Sequence, residues 1–177
     1  GLREAFVTLW GDDGNECDIL SSLPGIQFFA EHGYAEKVDS GLLPARLRAT
    51  ADCDFDPMVR ASDVDNLPWR KGGLSANPSK WLLWQDPLLA FLDPLVDRLP
   101  LKGHYAKIAS DLDAAARKPG NARLRFPAQL ARVVSLKVDL RKRLARAQAK
   151  RDAGAMRSLV AGDLARLTRE VRKLWRL

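Results

Sequence analysis

The chain has 177 residues, a formal net charge of +7 and a pI near 9.7, with 46% hydrophobic residues. That composition fits one globular domain or two small ones, and no apolar run approaches the roughly 20 residues of a membrane-spanning helix. Two cysteines, Cys17 and Cys53, make neither a disulfide framework nor a CxxC pair, which points to a reducing compartment such as the cytoplasm. Charge divides sharply along the chain. Residues 1–100 hold 9 basic and 16 acidic side chains, net −7, and residues 101–177 hold 20 and 6, net +14. A boundary near Pro100 is expected from this shift alone.

In chain order, Ala5 to Leu9 reads as a short buried strand. It runs into Trp10 and then into Gly11-Asp12-Asp13-Gly14, a turn with two carboxylates. A helical segment follows to Tyr34. Pro24 fits only a first turn, so the helix proper is expected over about Leu23 to Ala35, with Ser21 or Ser22 as cap and Leu23, Ile26, Phe29 and Ala30 on one face. Strand, polar turn and helix make one βα unit, and in parallel α/β folds the chemistry sits at the C-terminal ends of strands. Trp10, Asp12 and Asp13 stand at that end. An indole face stacks on sugar C–H groups, and short carboxylates accept from sugar hydroxyls. The same residues also make an ordinary core Trp and a capped turn.

Residues 36–76 read as short helices separated by turns. Asp52, Asp54 and Asp56 alternate, but the loop lacks the glycine and distal Glu of a calcium loop, so a cap before a helix over Pro57 to Ser62 is the simpler reading. His32 has no second His or Cys at metal-ligand spacing. Asn66 to Gly73 is a loop. In Ser79-Lys80-Trp81-Leu82-Leu83-Trp84-Gln85-Asp86-Pro87 the spacing allows a short strand or a loop pinned by aromatics. Asp86-Pro87 then opens a helix from Leu88 to about Phe91, and Asp93-Pro94 repeats that signal toward Arg98.

After Pro100 the helical period is clear. Tyr105, Ile108, Ala109, Leu112 and Ala116 make one stripe, ended by Pro119-Gly120-Asn121. Leu130, Val133, Leu136, Leu140, Leu144 and Ala147 mark a long second helix. After Asp152-Ala153-Gly154, with Asp152 as cap, Met156, Leu159, Val160, Leu164, Leu167, Val171 and Leu174 mark a third. Short connections imply antiparallel neighbours, hence a three-helix bundle. Its basic residues fall mostly off the stripes and read as a solvated face, docked on the acidic front half. Few aromatics interleave with them, so a nucleic-acid surface is not favoured. No phosphate-binding glycine motif and no GxSxG elbow occurs, and no cofactor is expected.

Leu9-Trp10-Gly11-Asp12-Asp13-Gly14-Asn15-Glu16-Cys17 with Leu23 to Glu31 resembles the last strand and helix of the barrel in family 20 glycoside hydrolases, the β-N-acetylhexosaminidases. Asn77 to Leu89 and the helical tail from His104 are similar to one bacterial branch of that family. The resemblance implies a fold that is mostly α. Residues 1–36 would be the last βα unit of a (β/α)8 barrel, 37–100 a connector of short helices packed on the barrel, and 101–177 the bundle. A lone buried strand cannot cover its faces or satisfy its edges, so the chain is read as the C-terminal part of a larger enzyme.

By resemblance, that enzyme removes terminal N-acetylglucosamine or N-acetylgalactosamine with retention, the substrate's acetamido oxygen attacking the anomeric carbon. The family's Asp-Glu catalytic pair has no match here, and the chain alone is expected to be inactive. Many members carry Trp-Gly-Glu at the last strand. Trp10 matches that Trp as pocket wall, and Asp12 stands where the Glu would bind outer hydroxyls. Asp13 is a second contact or a turn former, and Trp84 and Asp86 are further substrate-binding candidates. The implied partners are an N-acetylhexosamine-terminated glycan and the rest of the barrel domain, with no membrane. The alternative is a basic helical module that binds nucleic acid or protein without catalysis.

Overall fold

The computed structural model describes residues 3–9, 16–67, 78–87, 89 and 99–177. Among these the chain is mostly helical and contains no strand. The expected strand over Ala5 to Leu9 does not form: the stretch takes no regular structure, with Phe6 86% exposed and Val7 and Leu9 also exposed. A strand exists only against a neighbour that completes its hydrogen-bond ladder, and the described residues offer none. The loop over 68–77 and the helix expected over Leu88 to Arg98 lie outside the described residues, apart from Leu89.

A short 3₁₀ turn, Ile19–Ser22, leads into α1, Leu23–Tyr34, with Pro24 in the first turn as expected. Ser22 occupies the cap position without capping and donates to Ile19 O, while Ser21 donates to Cys17 Sγ. The expected inner face of α1 is only partly covered, and Phe29 is exposed. Helix α2, Leu43–Ala51, buries Leu43 and Leu47 and is held to α1 by an Arg46–Glu31 ion pair. Helix α3, Phe55–Ser62, buries Met58 and Ala61.

Residues 78–84 correct the strand-or-loop reading: Pro78–Trp84 is a helix, α4. Ser79 and Leu82, three apart, are buried on one side, while Trp81 and Trp84, also three apart, are exposed on another. Those spacings are a helix's own period, which the intervening apolar residues disguise.

Helix α5, Leu101–Ala115, buries the expected stripe of Tyr105, Ile108, Ala109 and Leu112. Beyond it the expected second long helix is two, α6 (Arg125–Lys137) and α7 (Leu140–Ala149). The break falls at Val138 and Asp139, where Asp139 leaves helical geometry with φ −110° and ψ 0° and its carboxylate accepts from Lys102 Nζ at 2.8 Å. Helix α8, Ala153–Ser158, is capped by Asp152, which accepts from Ala155 N–H at 2.8 Å. It runs on through a π-helical stretch, Leu159–Leu164, into α9, Ala165–Leu174. The wide π turn takes up an extra residue and rotates the face. Val160, expected in the stripe, is therefore exposed while Leu159 and Leu167 are buried.

The start of α5 meets the end of α6 through Lys102–Asp139, and the end of α5 meets α6 through Asp113–Arg132, so the two are antiparallel. Gln129 near the start of α6 donates to the Glu170 carbonyl near the end of α9, so these are antiparallel too. Helix α6 is central and belongs to two cores. Ala128, Leu130, Ala131 and Val134 pack with Leu47, Met58, Val64, Leu82, Tyr105 and Leu112, whereas Val133 packs with Leu140, Leu144, Leu159 and Leu167. Opposite charges from the two halves meet at Arg60–Asp111, with the basic partner supplied by the front half.

The α5–α6 turn is locked onto the α2–α3 loop. Asn121 accepts from Asp54 N–H at 2.9 Å and donates to the Asp54 carboxylate at 2.8 Å, and Arg48 pairs with Asp54. Gly120 has φ +83°, and a Cβ there would stand 2.1 Å from Asp52 O. Gly120→Ala should therefore cost about 2–3 kcal/mol, combining left-handed strain with a backbone clash. Urea unfolding of the variant checks this, and a loss below about 0.5 kcal/mol would refute the packing described.

Candidate functional site

Asp65 follows α3 through successive turns, Val64 N–H to Ala61 O and Asp65 N–H to Ser62 O, and is 6% exposed. Its carboxylate accepts from Glu16 N–H at 3.1 Å, Cys17 N–H at 3.0 Å and Ser79 Oγ at 2.6 Å. One buried acid thus ties residues 16 and 17 to the first turn of α4. Burying a carboxylate is costly unless donors surround it, and here backbone and hydroxyl groups do so. Burial first, and then the hydrogen bond to Asp65, push the Cys17 thiol up to about 12, which keeps it in the protonated form at neutral pH.

At the other end of α4, Trp84 is 60% exposed and its Nε1–H donates to Glu16 Oε1 at 3.2 Å. Trp175, just past α9 and 74% exposed, meets Trp84 edge-on with ring centroids 6.3 Å apart. Asp86 accepts from Leu89 N–H at 3.2 Å, the capping turn expected of Asp86-Pro87. It also faces Lys137, whose ammonium donates to Leu83 O. Burial pushes Lys137 down to about 8, against the Asp86 carboxylate, which holds it up. Two exposed indoles beside a carboxylate form a surface suited to sugar faces and hydroxyls.

Of the residues singled out from sequence, Trp10, Asp12 and Asp13 lie outside the described residues, and Trp84 and Asp86 sit together at the end of α4. Glu16 closes the gap, because it belongs to the first motif and holds the Trp of the second. A match to the family model of the glycoside hydrolase 20C C-terminal domain covers residues 56–177. The chain belongs to the family 20 glycoside hydrolases. The family 20 match takes in Asp65, Ser79, Trp84, Asp86, Lys137 and Trp175, whereas Glu16 and the Trp10 motif precede it. Among curated proteins no relative matches. The sequence alone does not single out Glu16, Asp65, Lys137 or Trp175 as site residues. Glu16 lies within the first motif; Asp65 looks no different locally from Asp63, and Trp175 is brought in by the bundle.

Asp65→Ala leaves Glu16 N–H, Cys17 N–H and the Ser79 hydroxyl without their acceptor. The expected loss is about 2–4 kcal/mol in urea unfolding. Alkylation of Cys17 by iodoacetamide at pH 8.5 should quicken as the thiol is released; wild-type stability and rate in the variant would dismiss Asp65 as the tie. For Lys137, the ε-amino group followed by NMR should titrate near 8, and Asp86→Asn should lower that midpoint because a carboxylate favours the ammonium. A folded-state value below the free value of 10.5 means that the unfolded chain binds the extra proton between those pH values, so this group adds stability as pH rises from about 8 to 10.5 and loses it as pH falls. An unperturbed Lys137 midpoint would contradict the burial.

Proposed function

We propose that this chain is the C-terminal part of an exo-β-N-acetylhexosaminidase, supplying one wall of the sugar pocket and a helical support behind it. The observation that carries the reading is the Trp84–Glu16 hydrogen bond, which joins the two motifs on one exposed patch. Trp10 is the wall on which the terminal N-acetylglucosamine or N-acetylgalactosamine stacks. Asp12 accepts from its outer hydroxyls, and Asp13 is a second contact or a turn former. Trp84 and Asp86 border the same mouth. Cleavage is retaining and assisted by the substrate's acetamido group, with the Asp-Glu pair supplied by other strands of the barrel.

Exposed apolar side chains support a covering barrel. Val7, Leu9, Pro24, Ile26, Phe28, Phe55 and Val59 line an open groove of about 530 Å³, and Phe6 and Ile19 are exposed as well. Apolar surface of this kind on an otherwise charged chain marks a contact. In the proposed enzyme residues 5–9 pair there with neighbouring barrel strands, and the front half of the chain is covered.

The test is hydrolysis of p-nitrophenyl N-acetyl-β-glucosaminide and its galacto epimer by the full enzyme that carries this chain, with the product anomer read by NMR. Release of the β-anomer is expected. Asp12→Ala should raise KM about ten- to hundredfold, the usual worth of a charged hydrogen bond at roughly 1.5–3 kcal/mol, and Trp84→Ala should raise it less. No hexosaminidase activity, or unchanged kinetics in both variants, overturns the reading.

A further inference from the structure

Where the end of α5, the start of α6 and the end of α9 converge, a groove of about 540 Å³ opens, lined by Asp113, Arg117, Arg125, Arg132, Lys173 and Arg176 among others. Among the described residues, its lining side chains thus set five cations against one carboxylate. Two of the cations are neutralised and fixed. Arg132 pairs with Asp113 and donates to Gln129 Oε1 at 2.6 Å, and Lys173 pairs with Glu170 at 2.8 Å. Gln129, 6% exposed, donates in turn to the Glu170 carboxylate at 2.9 Å, so the floor is a locked network. Arg117, Arg125 and Arg176 are exposed and have no carboxylate partner among the described residues.

Helix ends account for two of these three. Arg117 and Arg176 follow the C-termini of α5 and α9, where the helix dipole favours a cation. Arg125 is different. It opens α6, the end at which that dipole disfavours positive charge, and it faces the other cations across the groove. Like charges gathered at a helix start oppose folding unless an anion joins them. We infer that this groove is a binding site for a doubly charged oxyanion, a phosphate or sulfate ester, held by the forks of Arg117, Arg125 and Arg176. Guanidinium forks match such oxygens two at a time. The volume suits a small ligand, and among the described residues no aromatic ring lines the groove to stack a nucleobase or a neutral sugar face. The inference is independent of the hexosaminidase reading.

The experiment follows the arginine Nε–Hε resonances of this chain by NMR during titration with inorganic phosphate and, separately, N-acetylglucosamine 6-phosphate. Saturable shifts at Arg117, Arg125 and Arg176 are expected with at least one probe. Tighter binding of the sugar phosphate identifies an ester ligand, and equal affinity identifies the bare oxyanion; both support the site. Arg125→Gln combined with Arg176→Gln should weaken binding roughly tenfold or more. Arg157→Gln combined with Arg166→Gln, at exposed positions away from the groove, should leave it unchanged. Shifts that never saturate, equal losses in both double variants, or affinity for single-stranded oligonucleotides that grows with length while phosphate fails to bind, would each overturn the site in favour of a general polyelectrolyte face.

Discussion

Helix α6 is enclosed on nearly every side, and the rest of the architecture follows from that enclosure. Its run from Pro127 to Ser135 is buried apart from Arg132, and adjacent residues Val133 and Val134 face different cores. A helix with neighbours all round cannot be amphipathic in the usual sense. It needs small residues where helices approach closely, such as Ala128 and Ala131, and its polar members must be satisfied internally, as Gln129 is by the Glu170 carbonyl and carboxylate. Helix α4 of the front half and helices α5 and α9 of the rear pack directly on it, and α3 packs on α5, so the acidic front half and the basic rear half share one body.

Asp65 does at short range what α6 does at long range. A salt bridge there would have tied two side chains; a carboxylate with two backbone donors and a hydroxyl fixes main chain at 16–17 and a helix start at 79 at once. Backbone donors cannot be removed by mutation elsewhere, and the tie depends on the acid alone. The position of Trp84 against Glu16, on which the functional reading rests, is inherited from this anchoring.

Much of the helical rear was legible because one stripe faced one core. Tyr105 to Ala116 repeats at helical spacing, and the Asp152 cap is local chemistry. The break at Val138–Asp139 was not legible, since Leu136 and Leu140 keep helical spacing straight across it and the partner of Asp139, Lys102, lies 37 residues away. Helix α4 was hidden because both its faces carry large apolar side chains. The site was partly legible: Trp84 and Asp86 could be named from the motif they share, but Glu16, Asp65 and Trp175 gain their meaning only from contacts far apart in the chain. The strand over residues 5–9 could be read from propensity, yet propensity does not supply the pairing a strand requires.

The π-helical stretch at Leu159–Leu164 carries a consequence for how the last helix is addressed. Such a stretch behaves as a single inserted residue within an α-helix. Closing it into a regular α-helix at unchanged length would turn everything downstream by about 100°. Leu167 would swing off its core, Glu170 away from Gln129, and Trp175 away from Trp84. The terminal segment is therefore aligned by the wide turn itself, and losing that turn would scramble its alignment without altering any side chain that makes a contact.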